Sequence, residues 1–351
     1  MIKSIQAARA LAAFLVLVGH LNMLWAKPEY GGHDLFAGWP MVGGFGVDFF
    51  FVLSGFIICF AHAKDLGTPA RLPRYLWRRF SRVYPIYWVY TLGFMALSLV
   101  GVGATPFSLR PLDILSYLTL IHWTSALPPL GVAWTLFYEI AFYILFATLI
   151  IDRRLGITVM AIWLAAILAN YATPFAAKKT LIGDGSSWMN LAFFAGMAVY
   201  WLSQNARIGT RMGLGLLGLG IALLVAGVNM WRAGLIETVP TSRLLLIAAF
   251  AILILAGIVL ERAGHLHVPD WLNAWGNASY TTYLAHVSIA SFYFKVVRAA
   301  RLDSWISPYI IYALGVLLVS VIAVGLYYAL ERPLLKWARF PAPQASRPMQ
   351  M

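Results

Sequence analysis

The chain has 351 residues, of which 61% are hydrophobic and 11% charged, against roughly 45–50% and 25% in a soluble domain. That excludes a soluble globular protein and predicts an all-α integral membrane fold, a polytopic helix bundle. The net charge of +13 reads as membrane topology and a fit to anionic lipid head groups, with no nucleic-acid partner, and the lone Cys59 excludes a disulfide framework or a cysteine-rich metal site.

Apolar stretches long enough, or nearly so, to span read as 5–25, 43–62, 83–103, 132–151, 155–172, 188–203, 213–231, 243–260, 277–296 and 307–329. About ten transmembrane helices are therefore predicted. Lys3 and Arg9 precede the first apolar core as in a secretory signal. The core is too long for one and no small-x-small cleavage pattern follows, so 5–25 is read as a span. With the N-terminus cytoplasmic, 17 of the 26 Lys and Arg fall on that side, Arg207, Arg339 and Arg347 among them, which predicts both termini inside. No polar stretch exceeds about 30 residues, short of a domain, so 1–340 reads as one transmembrane domain and 341–351 as a short disordered cytoplasmic tail.

In the first span, Arg9 and His20 lie eleven residues apart. At ~100° per residue they share one face, ~16 Å apart along it. Ionisable groups inside a span point to function, the alternative being a side chain that snorkels or satisfies a neighbouring helix. After a Gly/Pro/His-bearing outer loop, GGFGVDFFFVLSGF sets Gly43, Gly44 and Gly46 for close helix packing and Asp48 at the outer rim, either partnered or capping the helix. Cys59 is expected to be a small buried hydrophobe.

RLPRYLWRRFSRVYP is the densest charge cluster. Arg74, Arg78 and Arg82 recur every four residues, with Arg79 beside them and Pro85 ending or kinking the segment. It reads as a topology determinant on lipid phosphates or as a phosphate-binding rim for a soluble anionic donor. Residues 104–131 contain PLDILSYLTLIHW, too short to span and suited to an interfacial or re-entrant helix, with His122 expected at the interface. In WTLFYEIAFY, Glu139 sits ~12 Å into its span, in the depth band of His20, so a His20–Glu139 pair is expected. The charge-poor, glycine-bearing spans that follow read as scaffold. Tyr283 and His286, at i and i+3, share a face and are candidates for lining a cavity. Glu331 and Arg332 read as a helix-end ion pair.

Arg9-x10-His20, Gly43 to Phe56, RRFSRVYPIYW from Arg78 to Trp88, WTLFYEIAFY from Trp134 to Tyr143 and YTTYLAH from Tyr280 to His286 together resemble the integral-membrane acyltransferase family 3. That family includes O-acetylases of bacterial exopolysaccharide, lipopolysaccharide and related glycans. The resemblance implies a multi-pass enzyme of the bacterial inner membrane. It would transfer an acyl group, usually acetyl, from cytoplasmic acyl-CoA to a glycan hydroxyl, with no permanently bound cofactor. Its functional positions carry over as Arg9 and His20, with Glu139 and the Arg78/Arg79/Arg82 segment. The SGNH-type hydrolase domain fused to some members is not expected here, which leaves acceptor delivery open.

The residues agree with such chemistry. Arg9, Arg78, Arg79 and Arg82 are expected to hold the donor phosphates, and His20 to act as general base, with Glu139 or Asp48 orienting it. A transient acyl-imidazole on His20 is the nucleophilic variant. Tyr283 and His286 are the candidate acceptor-binding residues. No metal is expected, since no H-E-x-x-H or comparable spacing occurs. The competing readings are a polytopic transporter or flippase of a glycan or acyl donor, and a structural subunit of an export complex.

Overall fold

A computed structural model describes residues 2–99, 107–172, 181–205, 208–234 and 241–338. The expectations resting on Arg207, Arg339, Arg347 and the tail 341–351 lie outside these. All regular elements among the described residues are helical, with no strand among them. Helix α1 spans Lys3–Trp25, α2 Gly46–His62, α3 Leu72–Leu99, α4 Pro111–Thr119, α5 Trp134–Ile151, α6 Arg153–Ala172, α7 Leu181–Gly185 and α8 Leu191–Asn205. There follow α9 Thr210–Arg232, α10 Thr241–Arg262, α11 Asp270–Asn277, α12 Ser279–Ala299, α13 Pro308–Leu326, a π-turn at Tyr327–Glu331 and α14 Arg332–Trp337.

Among the described residues, seven helical segments are long and apolar enough to cross a membrane, fewer than the ten expected. The described part of the span foreseen at 83–103 falls in α3, its last four residues lying outside the described residues, and those at 188–203 and 277–296 fall largely in α8 and α12; none of these helices is among the seven. Helix α3 opens on the arginine cluster, α8 has 15 residues and α12 carries a polar first half.

Contacts between helix ends fix how the helices alternate. The α1 start meets the α10 end, where Glu261 Oε1 and Oε2 each accept a backbone N–H, from Lys3 and Ser4, at 2.7 Å. This carboxylate caps α1 in place of a local capping residue, which Ile2 cannot provide. The same end gathers the α3 start, the α12 start and the α13 exit through Arg82, Thr281 and Glu331. At the far end the α2 and α10 starts meet through Asp48 and Arg243. Helices α1, α3 and α12 therefore start at the end where α10 and α13 finish, and α2 and α10 start together at the other.

Small residues set close approaches at Gly43 and Gly46 as expected, whereas a Cβ added at Gly44 would meet open space. A Cβ at Gly196 of α8 would collide with the Val52 carbonyl of α2, and one at Gly55 of α2 with the Phe193 carbonyl of α8. Gly43, in the 3₁₀ segment Trp39–Phe45, sits against the Leu15 carbonyl of α1. Pro85 does not end α3. The helix runs through it and forgoes only the amide that would bond the Ser81 carbonyl. On either side of it, Tyr84 and Tyr87 hydroxyls and Trp88 Nε1 donate to the carbonyls of Thr119, Tyr117 and Leu118 at 2.7, 2.7 and 3.0 Å. These three side chains satisfy the orphan C-terminal carbonyls of α4, as a short helix outside the spans needs.

The His122 side chain is enclosed by protein. It is buried against Phe137, ring centroids 3.8 Å apart, with Nδ1 2.9 Å from Asp184 Oδ2. Cys59 is buried.

Candidate functional site

A cavity of about 460 Å³ lies between α1, α2, α3, α5 and α12. It extends from the end of the bundle that holds the N-terminus, where Arg78, Arg79 and Arg82 line it, towards the starts of α2 and α5, where Val47, Thr135 and Tyr283 line it. The arginines share its wall because positions i, i+1 and i+4 fall on one side of a helix; Arg74, one turn earlier, is not in the lining. No carboxylate among the described residues lies within 4.0 Å of Arg78 or Arg79. Arg79 sits 5.7 Å from the Tyr143 ring centroid, its buried Nε without a partner among the described residues.

Arg9 enters the cavity from α1 and donates from Nε and Nη2 to Ser279 Oγ at 3.2 and 2.9 Å. Glu139 is the one carboxylate in the lining among the described residues. Its Oε1 accepts from Ser54 Oγ at 3.1 Å and from the Tyr143 hydroxyl, one helical turn on.

His20 does not pair with Glu139. Depth, which counting residues gives, is not rotation about the helix axis. Helix α1 turns His20 onto α12, where its ring meets that of His286 edge-on, centroids 4.9 Å apart. Arg9 and His20 do share a face, as their spacing predicted, and both address α12: Arg9 at Ser279, His20 seven residues further on. Each histidine places Nδ1 2.9 Å from the carbonyl one turn earlier, Val16 for His20 and Thr282 for His286. A carbonyl only accepts, so a neutral ring carries its proton on Nδ1 and presents Nε2 as a basic lone pair. His286 is fully buried, its Nε2 without a partner among the described residues.

Neither histidine lines the cavity. Tyr283 does, and its ring lies 6.1 Å from that of His286. Its hydroxyl donates to the Val132 carbonyl at 2.7 Å and lies 2.8 Å from Thr135 Oγ1, which fixes it at the inner limit of the cavity. Cavity, Tyr283, His286 and His20 therefore follow one another in space.

Asp48 stands apart from the cavity and from His20. Its carboxylate is fully buried and Oδ2 accepts from Arg243 Nε at 3.0 Å, joining α2 to α10. The guanidinium lies 5.3 Å from the Trp188 ring centroid and 5.6 Å from that of Phe45. The expected Glu331–Arg332 pair is also replaced: Glu331 is fully buried and takes Arg82, at 2.6 Å, leaving Arg332 over the Tyr328 ring. Among residues the sequence did not single out, Tyr143 was the most accessible, since it lies four residues from Glu139 on the same helix face. Thr135 and Ser54 carry no such signal.

Over 329 residues the chain is 27% identical to the exopolysaccharide production protein ExoZ of Rhizobium meliloti, covering 90% of this chain and 96% of that protein. Over 342 residues it is 23% identical to the peptidoglycan O-acetyltransferase OatA of Listeria monocytogenes, covering 87% of this chain and 52% of OatA. The chain thus spans about half the length of that second relative. No solved structure matches it. The sequence model of the acyltransferase domain matches residues 2–325, and the chain belongs to acyltransferase family 3 as a multi-pass membrane acyltransferase.

Proposed function

We propose that this enzyme takes an acyl group, acetyl in the first instance, from cytoplasmic acyl-CoA and places it on a hydroxyl of a cell-surface or lipid-linked glycan. In this reading it spans the bacterial inner membrane about ten times with both termini cytoplasmic. The observation that carries the reading is the cavity itself. Arg78 and Arg79, without a carboxylate partner among the described residues, line one end, and the other stops at Tyr283, whose ring lies beside His286, the imidazole that meets His20. The charged end suits the donor's phosphates, and a pantetheine arm is comparable in length to the ~16 Å that separates Arg9 from His20 along α1. A glycan acceptor is consistent with the names of the two relatives.

Arg78 and Arg79 hold the phosphates, with Arg9 further in, and the thioester comes to rest against Tyr283. His20 Nε2 takes the proton of the acceptor hydroxyl as its oxygen attacks the thioester carbonyl. The new ester C–O bond forms, the C–S bond breaks, and the imidazolium returns the proton to the CoA thiolate. The Nδ1 bond to Val16 holds the tautomer this requires, the part a carboxylate plays in other His-based sites. Glu139 serves on the donor side with Ser54 and Tyr143. Because Tyr283 separates the cavity from His286 and His20, transfer needs this side chain to turn aside.

The test is transfer from radiolabelled acetyl-CoA by detergent-purified protein, wild type and His20→Ala. Wild-type protein is expected to release labelled acetate or acetylate an added glycan. His20→Ala should be inserted and folded but at least about 10²-fold slower, the scale of a lost general base. Unchanged turnover in His20→Ala removes His20 from the reaction, and wild-type protein that neither hydrolyses nor transfers overturns the donor.

A further inference from the structure

Glu331 lies where a regular helix would not put it. Helix α13 buries Gly315, Val319 and Ala323. At ~100° per residue an undisturbed continuation would bring Leu330 within about 20° of Ala323 and leave Glu331 about 80° off that face. The π-turn Tyr327–Glu331 adds a residue to the turn and moves the register by one, a distortion often found at functional sites. Glu331 is thereby carried inward and fully buried, between exposed Ala329 and exposed Arg332.

Both of its oxygens are occupied. Oε1 accepts from Arg82 Nη1 at 2.6 Å, and Oε2 accepts from the Thr281 N–H at 3.2 Å and the Thr281 hydroxyl at 2.6 Å. Arg82 lines the same cavity as Glu139, its guanidinium 5.4 Å from the Tyr280 ring centroid. Arg9 lies within electrostatic reach of Arg82, Glu331 and Glu139 alike, so these four charges interact, with Glu331 fully buried and the other three partly buried.

We propose that Glu331 is a positioning residue of the donor cavity: it holds Arg82 off Glu139, so that the Glu139 carboxylate stays in the cavity with Ser54 and Tyr143. The inference rests on the acyl-transfer reading above. In low dielectric an unpaired cation takes the nearest opposite charge. Without Glu331, Arg82 is drawn to Glu139, the carboxylate that shares the cavity wall. Glu331 itself touches no substrate.

Glu331→Gln, Arg82→Gln and the double variant, purified as full chains in detergent, provide the test. Acetyl-CoA binding and the kcat and KM of labelled acetyl transfer are measured for each, with thermal unfolding as the check on folding. Glu331→Gln is expected to lower kcat by about 10²-fold while the acetyl-CoA dissociation constant moves less than about threefold. The double variant should regain about tenfold of that loss, a coupling normal for adjacent charges. Glu331→Asp, which keeps the charge, should be faster than Glu331→Gln. A double variant no faster than Glu331→Gln, or a Glu331→Gln protein that loses donor binding and kcat together, overturns the proposal. Wild-type protein that fails to bind acetyl-CoA overturns the donor reading, and the proposal with it.

Discussion

Two imidazoles in contact, each pinned through Nδ1 to the carbonyl of its own helix, keep their Nε2 atoms for chemistry. This holds residue by residue, because both bonds link a side chain to the backbone four positions earlier. The Arg243–Asp48 pair is the contrasting case. Its groups come from opposite parts of the chain, and one partner is fully buried. Removing one member of a buried pair strands the other, at about 3–5 kcal/mol. Asp48→Ala is therefore expected to lower the thermal midpoint markedly, and Asp48→Asn/Arg243→Gln to recover much of the loss; unfolding scans of the purified variants check this. The same contrast explains what the sequence conveyed about the site. Arg9, Glu139, Tyr283 and the Arg78/Arg79/Arg82 face were legible because helical spacing and buried charge announce them. The partners of Asp48 and Glu331 were not, since spacing along a helix says nothing about which distant helix comes alongside.

Among the elements, the connection between α1 and the 3₁₀ segment Trp39–Phe45 is organised by Asp34, which lies outside the spans. Its Oδ1 accepts from the Phe36 N–H and from Asn22 Nδ2, both at 2.9 Å, and its Oδ2 from the Gly38 N–H at 2.7 Å. The Phe36 amide first, then Asn22 and Gly38, hold this carboxyl below the ordinary carboxylate range. A depressed folded-state value adds stability that is present above the unfolded value and is lost as the pH falls through the folded one. Wild-type protein is thus expected to be more heat-stable than Asp34→Asn at neutral pH, with the difference closing under strong acid. Thermal scans across pH read this directly. The sequence marked this stretch as a loop from its Gly, Pro and His residues, but the turn that Asp34 ties depends on backbone amides, whose direction composition does not reveal.

For the whole molecule, the helical membrane class was legible from composition, and the approximate segments from apolar length. Three of them fell short of a spanning helix by those same measures: α3 because arginines head it, α8 because it is short, α12 because polar residues fill its first half. Arg78, Arg79 and Arg82 of α3 and Ser279, Tyr280 and Tyr283 of α12 line the cavity, so the local hydropathy signal weakens where the site is built. In the proposed topology the loop around Gly264 is cytoplasmic and the turn around Ser304 external. Cysteines placed at Gly264 and Ser304 in a Cys59→Ala background are expected to react with an impermeant maleimide on intact cells at Ser304 alone; labelling at Gly264 reverses the orientation.

Helix α3 bears three guanidinium groups of the cavity near its start and, beginning two residues after Arg82, the aromatic donors Tyr84, Tyr87 and Trp88 that stopper α4. Both sets belong to one uninterrupted screw. A single residue inserted or deleted between them would advance one set by ~100° against the other. Relatives that preserve both devices must therefore conserve the length of this short stretch more strictly than its composition.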